Sequence, residues 1–227
     1  MTSSPIISLS ERPRERLIKH GPKVLSTAEL LAIIISTGTK GNNVLNFCDT
    51  LLEHFGGIRA LLNASSEELS HIKGLGNAKI SQLLALKELA ARALEEPLRQ
   101  DNILNQSTAV KNYCIHHLGH LEVEHCYALL LNKGFKLIHT AILAEGTIDQ
   151  AQIYPREVLK LALRFHATYI ILAHNHPSGS LEPSHADLQI TDHLKEVLAL
   201  VDIKLLDHMI IANGKAVSLA ELGYISS

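Results

Sequence analysis

A chain of 227 residues and 24.9 kDa is long enough to bury one or two cores, and its composition of 46% apolar and 19% charged residues excludes a disordered or fibrous protein. A formal charge of −2 excludes wholesale electrostatic binding of nucleic acid, so any such role must rest on a local patch. The 14 histidines stand out against 4% aromatic residues, because histidine is the commonest metal ligand. Cys48, Cys114 and Cys126 are widely spaced and form no CxxC pair, the pattern of neither a disulfide framework nor a thiolate zinc site. Residues 1–5 carry no basic or apolar block of a signal peptide, and apolar runs such as 30–35 are too short to cross a bilayer. These features together predict a soluble cytoplasmic protein.

The first hundred residues carry a charge of +2 and 3 of the histidines, the remainder −4 and 11. Leucine and alanine recur at helical spacing over 28–35, 44–55 and 79–94, without β-branched alternation, so the first part is predicted all-helical. Ser26 with Glu29 and Ser65 with Glu68 have the capping-box spacing that starts a helix. Between two helices lies His71-Ile72-Lys73-Gly74-Leu75-Gly76-Asn77-Ala78-Lys79. Gly74 and Gly76 permit a bare turn whose following amides point at an anion, with Lys73 and Lys79 flanking it, so these four residues are candidates for phosphate contact. A plain glycine turn joining packed helices, with solvated lysines, explains the same residues. The polar stretch 95–102 contains Pro97, which is expected to stop the preceding helix, and marks a linker between domains at 1–96 and 105–227.

The second part mixes periods. Apolar runs at 126–131, 136–143, 168–173 and 203–211 predict strands, and 108–118, 155–165 and 184–200 predict helices. That alternation predicts an α/β domain with a mixed sheet. Tyr154-Pro155-Arg156-Glu157 has the form of a helix start. His116, His117 and His120 are expected at a helix end on the surface.

The strongest signal is His174-Asn175-His176-Pro177-Ser178-Gly179, followed by Ser184-His185-Ala186-Asp187. Two residues apart on a strand, His174 and His176 project to one face. Pro177 to Gly179 break the strand, and Ser184 caps a helix whose first turn returns Asp187 toward the histidines. Three such ligands leave a fourth tetrahedral position of zinc for water, as in catalytic sites. Two histidines and a carboxylate also describe non-haem iron sites, in which the ligands usually come in a different order.

His174-x-His176, seven residues, Ser184, two residues and Asp187 resembles the JAMM (MPN+) metalloprotease signature, and His174 to Gly179 resembles the RadC family of bacterial proteins. Tyr154 to Glu157, Leu206-Asp207-His208, Ser218-x-x-Glu221, Arg12 to Glu15 and Ile72 to Gly76 are similar to that family too, so the likeness covers nearly the whole chain. The resemblance implies a cytidine-deaminase-like JAMM/MPN fold holding one zinc ion per chain, behind a small all-α helix-hairpin-helix domain. It also implies a glutamate upstream that takes a proton from zinc-bound water and returns it to the leaving amine. Glu124 occupies the matching position, and a carboxylate beside a strand entering the core has the partial desolvation that suits a general base. Glu122 and Glu145 are the alternatives, read as solvated. The Ser184 hydroxyl is the candidate donor to a developing oxyanion. Asp207-His208 either orients a ligand histidine or packs in the core.

The expected function is amide hydrolysis of a protein or peptide by a zinc metallopeptidase or isopeptidase, with non-sequence-specific DNA contact through the helical part. The alternatives are a DNA-repair or recombination protein with an inactive zinc site, and a metal-dependent nuclease.

Overall fold

The structure, a computed structural model, describes residues 12–39, 41–146 and 153–225. Residues 1–5, read above for a signal peptide, lie outside the described residues. The chain divides into two compact units, residues 1–89 and 90–227.

The first unit is helical. α1 (Pro13–His20), α2 (Thr27–Ile35), α3 (Val44–Phe55), α4 (Ile58–Asn63) and α5 (Ser66–Ser70) precede the start of α6 (Asn77–Gln100). Both expected capping boxes form: Ser26 Oγ accepts from the Glu29 amide while Glu29 accepts from the Ser26 amide, and Ser65 and Glu68 do the same. Each box satisfies two amide donors that a helix start leaves unpaired, which is why these helices begin where they do. Leu31, Ile35, Phe47, Leu51, Leu61, Leu69 and Leu83 fill the core beneath them.

Pro97 does not stop the helix. α6 runs through it to Gln100, and the division between the units falls inside α6 and not in an exposed linker at 95–102. Proline forfeits one backbone bond, and that loss is offset locally. Leu98 is fully buried in the core of the second unit, and Arg99 pairs with Glu95 and donates to the Ile138 carbonyl.

The second unit is a sheet between helices. In chain order it holds α7 (Ser107–Leu118), β1 (Glu124–Leu131), β2 (Leu137–Gly146), α8 (Pro155–Arg164), β3 (Tyr169–Asn175), α9 (His185–Ala199), β4 (Lys204–Ala212) and β5 (Lys215–Ser218). The strand order is β2-β1-β3-β4-β5; only β3 and β4 are parallel, joined through α9. Alternation sorts the strands into two cores. Leu129, Leu131, Ile171 and Met209 pack with α7, and Cys126, Leu130, Ile170 and Leu172 pack with α8 and α9. His174 lies in register with Cys126 of β1. His116, His117 and His120 are half-buried rather than surface groups, and His117 lies 4.4 Å from the Tyr113 ring. Among the described residues no helix is long and apolar enough to cross a membrane.

Candidate metal centre

The site forms where β3 ends against the first turn of α9. His174 and His176 project from the same face of β3 and its continuation, as their two-residue spacing requires, and their Nε2 atoms lie 2.8 Å apart. Hydrogen bonds hold the turn that follows. His176 donates its backbone N–H to the Ile211 carbonyl, and the Gly179 amide returns to the His176 carbonyl. Gly179 has φ +86°, and a Cβ there would lie 2.8 Å from Asn213 Nδ2, so the tight turn requires glycine. The turn brings the Ser180 carbonyl 2.9 Å from His176 Nδ1.

Ser184 starts α9 with a third capping box, in which Asp187 takes the glutamate's place. Ser184 Oγ accepts from the Asp187 amide at 3.1 Å, and Asp187 Oδ2 accepts from the Ser184 amide at 2.7 Å. The box aims the Asp187 carboxylate at the histidines, with Oδ1 3.1 Å from His174 Nε2 and Oδ2 3.4 Å from His176 Nε2. With no cation in the cluster, protonated imidazoles can hydrogen-bond from Nε2 to Asp187; burial alone would raise its carboxyl, but those bonds outweigh it and hold the group well below the ordinary carboxylate range. The hydrogen bond to Asp187 in turn raises His176.

Glu124 completes the group from the first position of β1. Its carboxylate, the two imidazoles and Asp187 offer ligand atoms that all lie within 4.8 Å of one another. Glu122 is exposed and outside the group, and Glu145 is 65% exposed and faces His125 at 3.4 Å. The Ser180 carbonyl can only accept, so His176 carries its proton on Nδ1 and a neutral ring presents a lone pair at Nε2. Two imidazole nitrogens and two carboxylates facing one another repel unless a proton or a cation sits among them. Nitrogen and carboxylate donors in this number suit zinc, so the residues present fit such an ion.

The candidate phosphate-binding residues belong to the first unit. Gly74 adopts φ +99°, and a Cβ there would lie 2.1 Å from Thr39 Cγ2, whereas Gly76 has open space around it. Lys73 is exposed. Lys79 is turned inward: its Nζ donates to the Gly38 and Gly74 carbonyls, both at 3.0 Å, and lies 4.7 Å from the centre of the Phe47 ring. The ammonium saturates inward-facing carbonyls of the glycine turn, a role that residue spacing does not reveal.

Residues 104–224 match the RadC-like JAB domain, and residues 6–81 match the UPF0758 N-terminal domain. A UPF0758 protein of Bordetella petrii is 49% identical over 95% of this chain and 96% of its own length. One of Vibrio cholerae is 49% identical, covering 94% and 95%, and one of Saccharophagus degradans is 48% identical, covering 96% and 97%. The chain belongs to the RadC family. Its JAB domain, a fold of the metal-binding JAMM type, contains all four residues of the cluster.

His208, read from sequence as either orienting a ligand histidine or packing in the core, contacts His174, whereas Asn175, Thr191 and Asn213 support the RadC site without having been singled out from sequence. Asn175, between the two histidines, turns to the opposite side and binds the approach to β1: it accepts from the His125 amide at 2.8 Å and donates to the Leu121 and Val123 carbonyls. Thr191, one turn after Asp187, contacts His208, and His208 contacts His174. Burial first, then the nearby His174, pushes His208 down to about 3. Asn213, which pins Gly179, stands in an Asn213-Gly214 turn with φ of 49° and 70° joining β4 and β5. That dipeptide is the strongest short-range hairpin signal, and it could have revealed β5.

Proposed function

We propose that this chain is a zinc-dependent hydrolase of amide bonds, a peptidase or isopeptidase acting on a protein or peptide. The observation that carries the reading is the convergence of Glu124 with His174, His176 and Asp187, at the edge of a cleft of about 700 Å³ that also reaches Ser184, Ile190 and His193.

Zinc held by His174, His176 and Asp187 would supply a Lewis acid that acidifies water and polarises a carbonyl. Glu124 is half-buried at the mouth of the sheet and borders the same cleft, the setting of a proton acceptor that later returns the proton to a leaving amine. The capping bond from the Asp187 amide uses one lone pair of the Ser184 oxygen and leaves the hydroxyl proton for a carbonyl oxygen on which charge develops. In the metal-free cluster Asp187 is held in its ionised form, the form that binds a cation. The test compares wild type with Glu124→Gln, both loaded with zinc, on a broad set of peptides and isopeptide-linked proteins. New amines that appear only with wild type support the reading; identical products overturn it. Cleavage of DNA by wild type alone would favour a nuclease instead.

A second reading concerns the first unit, where the bare surface at Gly76 and the exposed Lys73 favour contact with a nucleic-acid backbone. DNA binding that weakens with salt and with Lys73→Glu supports it; binding indifferent to both overturns it.

A further inference from the structure

Behind the cluster a hydrogen-bonded chain has only one possible direction. Thr191 Oγ lies 2.5 Å from the Asp187 main-chain carbonyl and 2.7 Å from His208 Nδ1. A carbonyl oxygen only accepts, so the single hydroxyl proton of Thr191 goes to Asp187, and the hydroxyl oxygen must accept from His208 Nδ1–H. His208 is 1% exposed and, among the described residues, its ring bonds only a hydroxyl and another imidazole, with no carboxylate bonded to it, so burial favours the neutral ring with one proton. With that proton on Nδ1, Nε2 is an acceptor. It lies 2.8 Å from His174 Nδ1, which must therefore donate. A neutral His174 is left with its lone pair on Nε2, the atom that faces His176 and Asp187.

We infer that His208 and Thr191 are positioning residues that lock His174 in the Nδ1–H tautomer and so keep its Nε2 free for a cation. The relay begins on the backbone of Asp187 and ends on His174, whose Nε2 lies 3.1 Å from that residue's carboxylate, and it ties one turn of α9 to β4 and β3. His176 reaches the same state by a shorter route, through the Ser180 carbonyl. Without Thr191 as acceptor, His208 gains by moving its proton to Nε2. His174 Nδ1 must then accept, and the His174 proton moves to Nε2, where it competes with the ion. Outer partners that fix a ligand imidazole in this way typically contribute about 10–100-fold in metal affinity.

The inference rests on the metal reading, and the experiment separates the two. Nitrogen-15 imidazole spectra assign the His208 and His174 tautomers in wild type, and competition with a chromophoric chelator measures zinc affinity in wild type, Thr191→Val and Thr191→Ser. The expected result is His208 protonated on Nδ1, a loss of about 10–100-fold in zinc affinity in Thr191→Val, and recovery in Thr191→Ser. His208 protonated on Nε2 in wild type, or Thr191→Val binding zinc as wild type does, overturns the inference. Should Thr191→Val not fold, His208→Gln, whose amide oxygen still accepts from His174, is expected to bind more tightly than His208→Leu; equal binding overturns it. A wild type that takes up no zinc but shows the expected tautomers leaves the relay standing and removes the metal reading.

Discussion

Asn175 Oδ1 accepts the backbone N–H of His125 at 2.8 Å, so the residue between the two cluster histidines also fixes the strand start from which Glu124 projects. Asn175 is 2% exposed and its amide nitrogen serves two further carbonyls, those of Leu121 and Val123. Replacing it with Ala leaves the buried His125 amide without that acceptor and removes one donor each from the part-buried Leu121 and Val123 carbonyls, the latter still facing His125 Nδ1. The expected cost is about 1–3 kcal/mol in unfolding free energy for each group that water cannot reach. If Glu124 acts on the proton, Asn175→Ala retains zinc affinity within a few fold and loses turnover. Equal loss of zinc and turnover would instead place Asn175 among the supports of the histidines. Chelator competition and steady-state assays on one preparation distinguish these outcomes.

His208 governs acid stability as well. Unfolded, it titrates near 6.5; folded, burial pushes it down to about 3. As pH falls below 6.5 the unfolded chain takes up a proton that the folded chain refuses, so stability present above that value is lost toward 3 by up to about 1.4 kcal/mol per pH unit. Asp187, also held low, adds a loss of the same sign below its ordinary value of 3.8. His176 is raised and acts oppositely: its contribution is present below 6.5 and is lost as pH rises through its folded value. Denaturant midpoints of the metal-free protein at about pH 7 and about pH 5 are expected to drop less in His208→Gln than in wild type. An equal drop contradicts the burial argument.

The sequence reveals features set by local spacing. The same-side projection of His174 and His176, the return of Asp187 in a capped first turn and both serine capping boxes depend on residues within a few positions of one another, where geometry is nearly fixed by strand and helix periods. Most long-range partners are not legible, and His208 against His174 is left there as one of two alternatives. Nothing near Thr191 points to a histidine 17 residues away on β4, and nothing near Lys79 points to the Gly38 carbonyl. Pro97 shows the same limit, because its helix continues only where Leu98 finds a core and Arg99 finds Ile138.

The two glycines of the first unit are expected to behave differently. Gly74→Ala meets Thr39 and forces an L side chain to φ +99°, a conformation costing about 1–2 kcal/mol before the collision is counted. Gly76→Ala meets nothing and is expected to be neutral in stability. Thermal melts of both variants decide it, and equal effects contradict the description of the turn.

Lys79→Ala removes a half-buried ammonium from two carbonyls and the face of Phe47. A destabilisation of about 1–3 kcal/mol is expected, while exposed Lys73→Ala changes stability little. Any loss of DNA binding in Lys79→Ala must therefore be compared at a temperature where the variant is folded. Unchanged stability in Lys79→Ala would return that lysine to the surface role suggested by its spacing.

The central claim is that Glu124, His174, His176 and Asp187 form one hydrolytic metal centre. Its most direct test is the yield of new amino groups from an unbiased peptide and isopeptide substrate pool, with zinc-loaded wild type beside zinc-loaded Glu124→Gln. The expected result is equal zinc content, about one ion per chain, and product from wild type alone. Product of equal yield from both proteins, or a wild type that holds no zinc after loading, contradicts it.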